Sequence, residues 1–273
     1  TPRQIPEARK KFENSGIVCY EADIRFVMRF LMDNRILASL NLEGEYKKGK
    51  IVDRIYENPT ISPSEFFPKL KTLALDIETD RNADKLYSIS IVCDGFEKVI
   101  MHTEKKLKHV ISVDSEKKII ETFREKIREL DPDIITGWNV IDFDLRILKD
   151  KFKLYKIPFD LGRTEWECTL RIESSFFKDS QADFPGRMIL DGIHLMKSSF
   201  IKIEDYKLAT AAKEFLGEEK LIGEESKGED IENAYKNNPQ FLADYNLKDS
   251  KMVVDRIEKT KVVEIPSLFL AYL

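Results

Sequence analysis

From residue 71 onward the chain presents three strand-like runs in succession, 71–79, 86–92 and 97–101, before the first helix of that region. That order constrains the fold more than any other feature. Helical and extended segments alternate after it. Ser115 can cap a helix reaching Leu130, which Asp131-Pro132 ends. Residues 133–137 read as a short buried strand, 142–155 as a helix and 187–190 as another strand. A helix over 207–216 closes at Gly217. A long helix begins at Pro239, a residue suited to a first helical turn, and runs to about Thr260. Strands first, then alternating helices and strands, predict an α/β domain with a mixed central sheet flanked by helices.

The preceding residues read as a separate small α+β unit. Residues 6–14 suit a short helix ending at Gly16, and 17–20 an extended segment. Asp23 can cap a helix whose apolar residues Phe26, Val27, Phe30 and Leu31 follow helical spacing. Residues 36–42 and 51–56 suit strands on either side of the polar turn 43–50. Pro59, Pro63 and Pro68 then break regular structure and mark a boundary. The spans expected are therefore 1–68, 69–260 and a tail over 261–273.

Composition narrows the chemistry. Of 273 residues, 42% are hydrophobic, enough for a core that needs no disulfide. Cys19, Cys93 and Cys168 stand far apart without a CxxC pair, which argues against a zinc site or a disulfide framework and fits a reducing compartment. No apolar run is long enough to span a bilayer, so no membrane partner is expected. His102, His109 and His194 lack metal-ligand spacing and read as surface or structural residues. A net charge of −4 offers no general attraction for a polyanion. Such a partner would need local basic patches, or metal ions that reverse the sign of an acidic site.

The chemistry-bearing residues are carboxylates. In Leu73-Ala74-Leu75-Asp76-Ile77-Glu78 the strand alternation puts Asp76 and Glu78 on one face and Leu75 and Ile77 on the other. Two adjacent acids on an apolar strand repel, and a divalent cation would resolve the repulsion; two solvated acids at a strand end are the alternative. In Gly137-Trp138-Asn139-Val140-Ile141-Asp142-Phe143-Asp144 a strand runs into a helix, the place where open α/β sheets carry their sites. Asp142 and Asp144 equally suit a helix N-terminus on dipole grounds. In the last helix, Leu242, Tyr245, Asp249 and Met252 form one stripe at helical spacing. Most of that stripe is apolar, so Asp249 faces inward and needs either a metal or a buried cationic partner.

Taken together, Asp76-Ile77-Glu78, then Asn139 with Phe143-Asp144, then Tyr245 with Asp249 resemble the three exonuclease motifs of family B DNA polymerases. Residues 138–146, Gly186-Arg187 through Leu190-Asp191-Gly192-Ile193, and Lys207-Leu208 through Leu216-Gly217 to Lys220-Leu221-Ile222 are similar to the bacterial DNA polymerase II branch. The resemblance covers nearly the whole chain. It implies a ribonuclease H-like exonuclease domain over 69–260, part of the polymerase N-terminal domain over 1–68, and a connector towards a palm domain over 261–273. No segment resembles the family's polymerase motifs, which suggests an excised fragment beginning in mid-protein.

The activity implied is proofreading: 3′→5′ hydrolysis of nucleotides from single-stranded or frayed DNA ends. Two Mg²⁺ or Mn²⁺ ions are implied as cofactors, held by oxygen ligands. By the family pattern Asp76 bridges the ions, Glu78 and Asp249 complete the first site, and Asp144 holds the second. Tyr245 orients the attacking water. Asn139, Phe143 and Lys220 are implied to seat the terminal nucleotides or the scissile region. The partners implied are a primer 3′ end and, in a full-length chain, palm and thumb domains; the location implied is a prokaryotic cytoplasm. Of the basic stretches 47–50, 105–108 and 146–156, the last is best placed for a DNA backbone because it continues from Asp144. Two rivals remain at this point: a non-catalytic module that binds primer ends or scaffolds a polymerase, and an RNA-directed exonuclease on the same fold.

Overall fold

The computed structural model describes residues 2–37, 39–66, 68–173, 178–198, 206, 210 and 227–260. They form two compact units, one up to Pro68 and one from Lys69 to Thr260. In the first unit, helix α1 spans Ile5–Asn14 and α2 spans Phe26–Asp33. Strand β1 (Ser39–Glu43) pairs antiparallel with β4 (Thr60–Ser64), and β2 (Tyr46–Lys47) with β3 (Ile55–Tyr56).

Several expectations for this unit need correction. Arg25, not Asp23, stands at the N-cap of α2 and makes no side-chain cap bond. The strand expected over 51–56 shrinks to two residues. Pro63 lies within β4 rather than breaking it, opposite Leu40 in a two-stranded sheet. A strand with a free edge tolerates a residue that lacks a donor. Phe26, Val27 and Met32 of α2 are exposed, so no core disciplines the apolar pattern here, and boundaries read from it slip.

The second unit carries a six-stranded sheet ordered β12-β9-β5-β6-β7-β8. Strands β5 (Thr72–Thr79), β6 (Leu86–Cys93) and β7 (Phe96–His102) are an antiparallel succession, as the three runs predict. Strand β8 (Val110–Val113) joins β7 in parallel, β9 (Ile134–Gly137) joins β5 in parallel, and β12 (Met188–Asp191) joins β9 in parallel. A separate hairpin pairs β10 (Thr169–Arg171) with β11 (Gln181–Asp183). Helix α3 spans Glu116–Leu130; Ser115 caps it by accepting the amide of Lys118, and Asp131 ends it in the left-handed region. Helices α4 (Arg146–Leu154), α5 (Gly192–Ser198), α6 (Lys227–Asn237) and α7 (Pro239–Thr260) follow.

The helix expected over 142–155 proves to be two structures. Val140–Leu145 forms a π-helical turn that runs into α4. A widened turn of this kind leaves no mark on a 3.6-residue apolar period, but it re-aims the side chains it carries. Strand β8, the β10–β11 hairpin and helices α5 and α6 had no reading from sequence; β8 is four partly covered residues at the sheet edge, too short for a period. The helix expected over 207–216 lies outside the described residues.

Each face of the sheet has its own core. On one, Leu73, Leu75 and Ile77 pack with Ile120 and Phe123 of α3 and Leu148 and Phe152 of α4. On the other, Val99 and Met101 of β7 meet Ile231 of α6 and Leu242, Ala243 and Leu247 of α7.

Candidate active site

Because Leu73, Leu75 and Ile77 turn towards α3 and α4, Asp76 and Glu78 must turn to the face where α7 lies. The expected stripe of α7 is buried as a whole: Leu242, Tyr245, Asp249 and Met252. The meeting of strand and helix brings three of the four acids together. Carboxylate oxygens of Asp76, Glu78 and Asp249 lie within 4.8 Å of one another. Glu78 and Asp249 are buried and Asp76 is half-buried.

Asp144 reaches the same strand from the other side of the chain. It is buried on the π-helical turn, and its Oδ1 accepts the amide of Ile77 at 3.0 Å. Ile77 stands between Asp76 and Glu78, so that one bond fixes the fourth carboxylate against the pair. Burial, and after it the charge of Asp76, pushes the Asp144 carboxyl well above its usual range, while the Ile77 amide opposes the rise. Three clustered acids with a fourth buried beside Asp76 fit an oxygen-ligated divalent cation.

Tyr245 sits among the same charges. Burial first, and then Asp249, Glu78 and Asp76, push its phenol upwards, so it stays protonated. Phe143, on the turn beside Asp144, is 37% exposed. Asn139 is half-buried at the head of the turn with φ +61°, a left-handed conformation that asparagine tolerates. Lys220 lies outside the described residues. His102 and His109 are exposed; His194 Nε2 stands 3.9 Å from Asp142 and 3.8 Å from Asp179, away from the three-acid cluster.

Reasoning from sequence missed the residues that hold these groups in place. Asn246 is fully buried, donates from Nδ2 to Asp76 Oδ2 at 2.7 Å, and accepts from the Ser88 hydroxyl at 3.1 Å. One turn on, Ser250 and Ser90 share a 2.6 Å hydrogen bond. The signal was present: Ser88 and Ser90 alternate with Ile89 and Ile91 in a strand buried along its length, so two hydroxyls had to find partners on one face.

Asp191 is the other omission. It ends β12 directly opposite Gly137, and its two oxygens accept the amides of Ile141 and Ile193 at 3.0 and 2.9 Å. It thereby ties the π-helical turn to the start of α5. Burial raises its carboxyl, while the amide of Ile141 and the nearby His194 oppose the rise. Gly137 is required at the same crossing, since a Cβ there would meet the Leu75 carbonyl oxygen at 2.7 Å.

Comparisons with known proteins bear on the same elements. Residues 17–211 match the family model described as DNA polymerase family B, exonuclease domain, a span that includes Asp76, Glu78 and Asp144 and stops short of α7. The chain is 32% identical over 272 residues to DNA polymerase II of Escherichia coli (strain K12), covering 96% of this chain and 34% of that protein. It is 27% identical over 313 residues to the DNA polymerase delta catalytic subunit of Plasmodium falciparum (isolate K1 / Thailand), covering 94% and 28%. The chain thus spans about a third or less of the length of these relatives. Among solved structures, the family B DNA polymerase from the archaeon Pyrobaculum calidifontis superposes with a TM-score of 0.69 at 22% identity, over 95% of this chain and 34% of that one. The six-stranded mixed sheet with helices on both faces is the ribonuclease H-like arrangement of such exonuclease domains. No helix among the described residues is long and apolar enough to cross a membrane.

Proposed function

The chain belongs to the exonuclease-domain family of family B DNA polymerases, and from that premise we propose that it trims single-stranded or frayed DNA from the 3′ end by a two-metal mechanism. The observation that carries the proposal is the cluster of Asp76, Glu78 and Asp249, three carboxylates within 4.8 Å of one another in a largely buried setting. On this reading residues 69–260 are the exonuclease domain, 1–68 belong to a polymerase N-terminal domain, and 261–273 lead towards a palm.

Asp76, Glu78 and Asp249 would hold one Mg²⁺ or Mn²⁺, and Asp76 with Asp144 a second. Bound there, the ions would supply a deprotonated water and stabilise the charge on the departing oxygen. The oxygen of water bonds to phosphorus, the bond from phosphorus to the 3′ oxygen breaks, and a 5′-monophosphate leaves a shortened 3′-hydroxyl end. Tyr245, held protonated by burial and by its acidic neighbours, orients the attacking water by hydrogen bonding. Phe143 offers an exposed ring on which a terminal base can stack without being identified. Asn139 seats the adjoining nucleotide, and Lys220 contacts the scissile region. Asn246 keeps Asp76 in its coordinating orientation.

The test uses 5′-end-labelled DNA and RNA with Mg²⁺ or with chelator. DNA shortened from the 3′ end with Mg²⁺ and left whole in chelator is the expected result. Asp76→Ala is expected to abolish cleavage; degradation by that variant at near wild-type rate would overturn the site. Faster digestion of RNA than of DNA would reassign the substrate. Tight binding of ends with no cleavage under any metal would identify a non-catalytic module.

A further inference from the structure

We propose that the groove on the outer side of α4 is a binding site for the phosphate backbone of single-stranded DNA. The groove lies on the α3–α4 side of the sheet and the carboxylates on the α7 side, so its affinity for single strands does not rest on the exonuclease reading.

Helix α4 divides cleanly into two faces. Ile147, Leu148, Lys151 and Phe152 are buried, and the Lys151 ammonium is tied to Glu116 at 2.6 Å. Arg146, Lys149, Asp150 and Lys153 recur at the three- and four-residue spacing of a single outer face. That face lines a groove of about 670 Å³, continued by Lys156 beyond the end of the helix and closed by Glu167 and the apolar Leu170 and Ile172.

Several cations elsewhere in this unit are committed to carboxylates. Arg124 and Arg128 pair with Asp160, Arg163 and Arg187 with Asp131, and Lys251 with Glu97. Among the described residues, Arg146, Lys149, Lys153 and Lys156 form no such ion pair. Four uncommitted cations face two carboxylates, Asp150 and Glu167, in one concavity of a chain whose net charge is −4. A local reversal of sign in a concave surface attracts a polyanion.

The cationic face of α4 begins at Arg146, two residues after Asp144 in the chain. Its nine helical residues extend about 13 Å, a span of a few nucleotides. Long cationic side chains of this kind neutralise phosphates and read no bases. Trp166, next to Glu167 in the chain, is 75% exposed, and an indole held in water beside a cationic groove suits base stacking.

The experiment measures binding of a fluorescent twelve-nucleotide single strand in chelator, where no cleavage occurs, across a series of salt concentrations. Lys149→Gln/Lys153→Gln removes two contacts. The slope of log affinity against log salt should fall by about 1.4, at roughly 0.7 per contact for single strands, with affinity at 0.1 M salt lower by about an order of magnitude. Lys10→Gln/Lys48→Gln makes the same charge change on exposed residues of the first unit and should leave both quantities as in wild type. Wild-type affinity and slope in the groove variant would overturn the proposal, as would an equal loss in the control. Cleavage is scored separately on the same proteins. Loss of binding in the groove variant when even the wild type cleaves nothing would sustain the groove and remove the exonuclease reading.

Discussion

Asn246→Ala would separate the support of the site from its ligands. The wild-type side chain is fully buried between strand and helix. It donates to the Asp76 carboxylate at 2.7 Å and accepts from Ser88 at 3.1 Å. A buried hydrogen bond to a charged group contributes about 1.5–3 kcal/mol and a neutral one about 0.5–1.5 kcal/mol. Alanine also leaves a small void and a Ser88 hydroxyl without its acceptor. The expected destabilisation is therefore about 2–4 kcal/mol. For a domain of this size, 1 kcal/mol moves the melting midpoint by about 2–4 °C, so a fall of roughly 5–15 °C is expected by circular dichroism in chelator. Function should change through the metal. Losing the partner that aims a ligand costs roughly 10–100-fold in metal affinity or activity, so the Mg²⁺ concentration for half-maximal cleavage should rise by that factor. A wild-type melting midpoint together with a wild-type Mg²⁺ dependence would refute the role given to Asn246.

Two further predictions follow from the same geometry. On the proposed roles Asp249→Ala removes a metal ligand, whereas Tyr245→Phe keeps the ring and its packing and loses only the hydroxyl; single-turnover cleavage should therefore fall further in Asp249→Ala, and the opposite ranking would mean the two roles are exchanged. The Asp191 carboxyl is raised by burial, and a carboxyl raised on folding stabilises most below its unfolded value, about pH 4, and loses that contribution as pH rises through its folded value. Metal-free protein should accordingly lose part of its stability as pH rises above about pH 4, and Asp191→Asn should flatten that slope in urea titrations; an unchanged slope would show that Asp191 titrates as it does in the unfolded chain.

The parts legible in the sequence were those with a strong period or a strong penalty. Leu73, Leu75 and Ile77 alternate, so the face of Asp76 and Glu78 followed from the strand itself. Asp249 stood on an apolar stripe, so its burial followed from the helix. The supporting residues were harder to read because their partners are distant in sequence. Asn246 meets Asp76 across 170 residues, and Asp191 meets Ile141 across 50. Neither pairing is specified by any local pattern. The π-helical turn escaped for another reason: one extra residue in a turn alters where Phe143 and Asp144 point without altering the apolar count. In the first unit the helical period located α2, but Phe26 and Val27 are exposed and did not fix its start, which falls at Arg25 rather than Asp23.

The acids of the site are held together by packing on the helix that contributes one of them. Leu242, Ala243 and Leu247 of α7 are buried against the second core, beside Tyr245, Asn246 and Asp249. A fully buried leucine contributes about 1.5–3 kcal/mol, so Leu242 and Leu247 work against the mutual repulsion of the carboxylates. The choice of Asn246 fits that logic. A lysine at this position would neutralise Asp76 and compete with a cation, whereas an amide pins the carboxylate and leaves its charge in place. The cost of the crowded acids is borne by apolar contacts elsewhere on the same helix, and the negative potential at Asp76, Glu78 and Asp249 stays available to a cation, as the proposed mechanism requires.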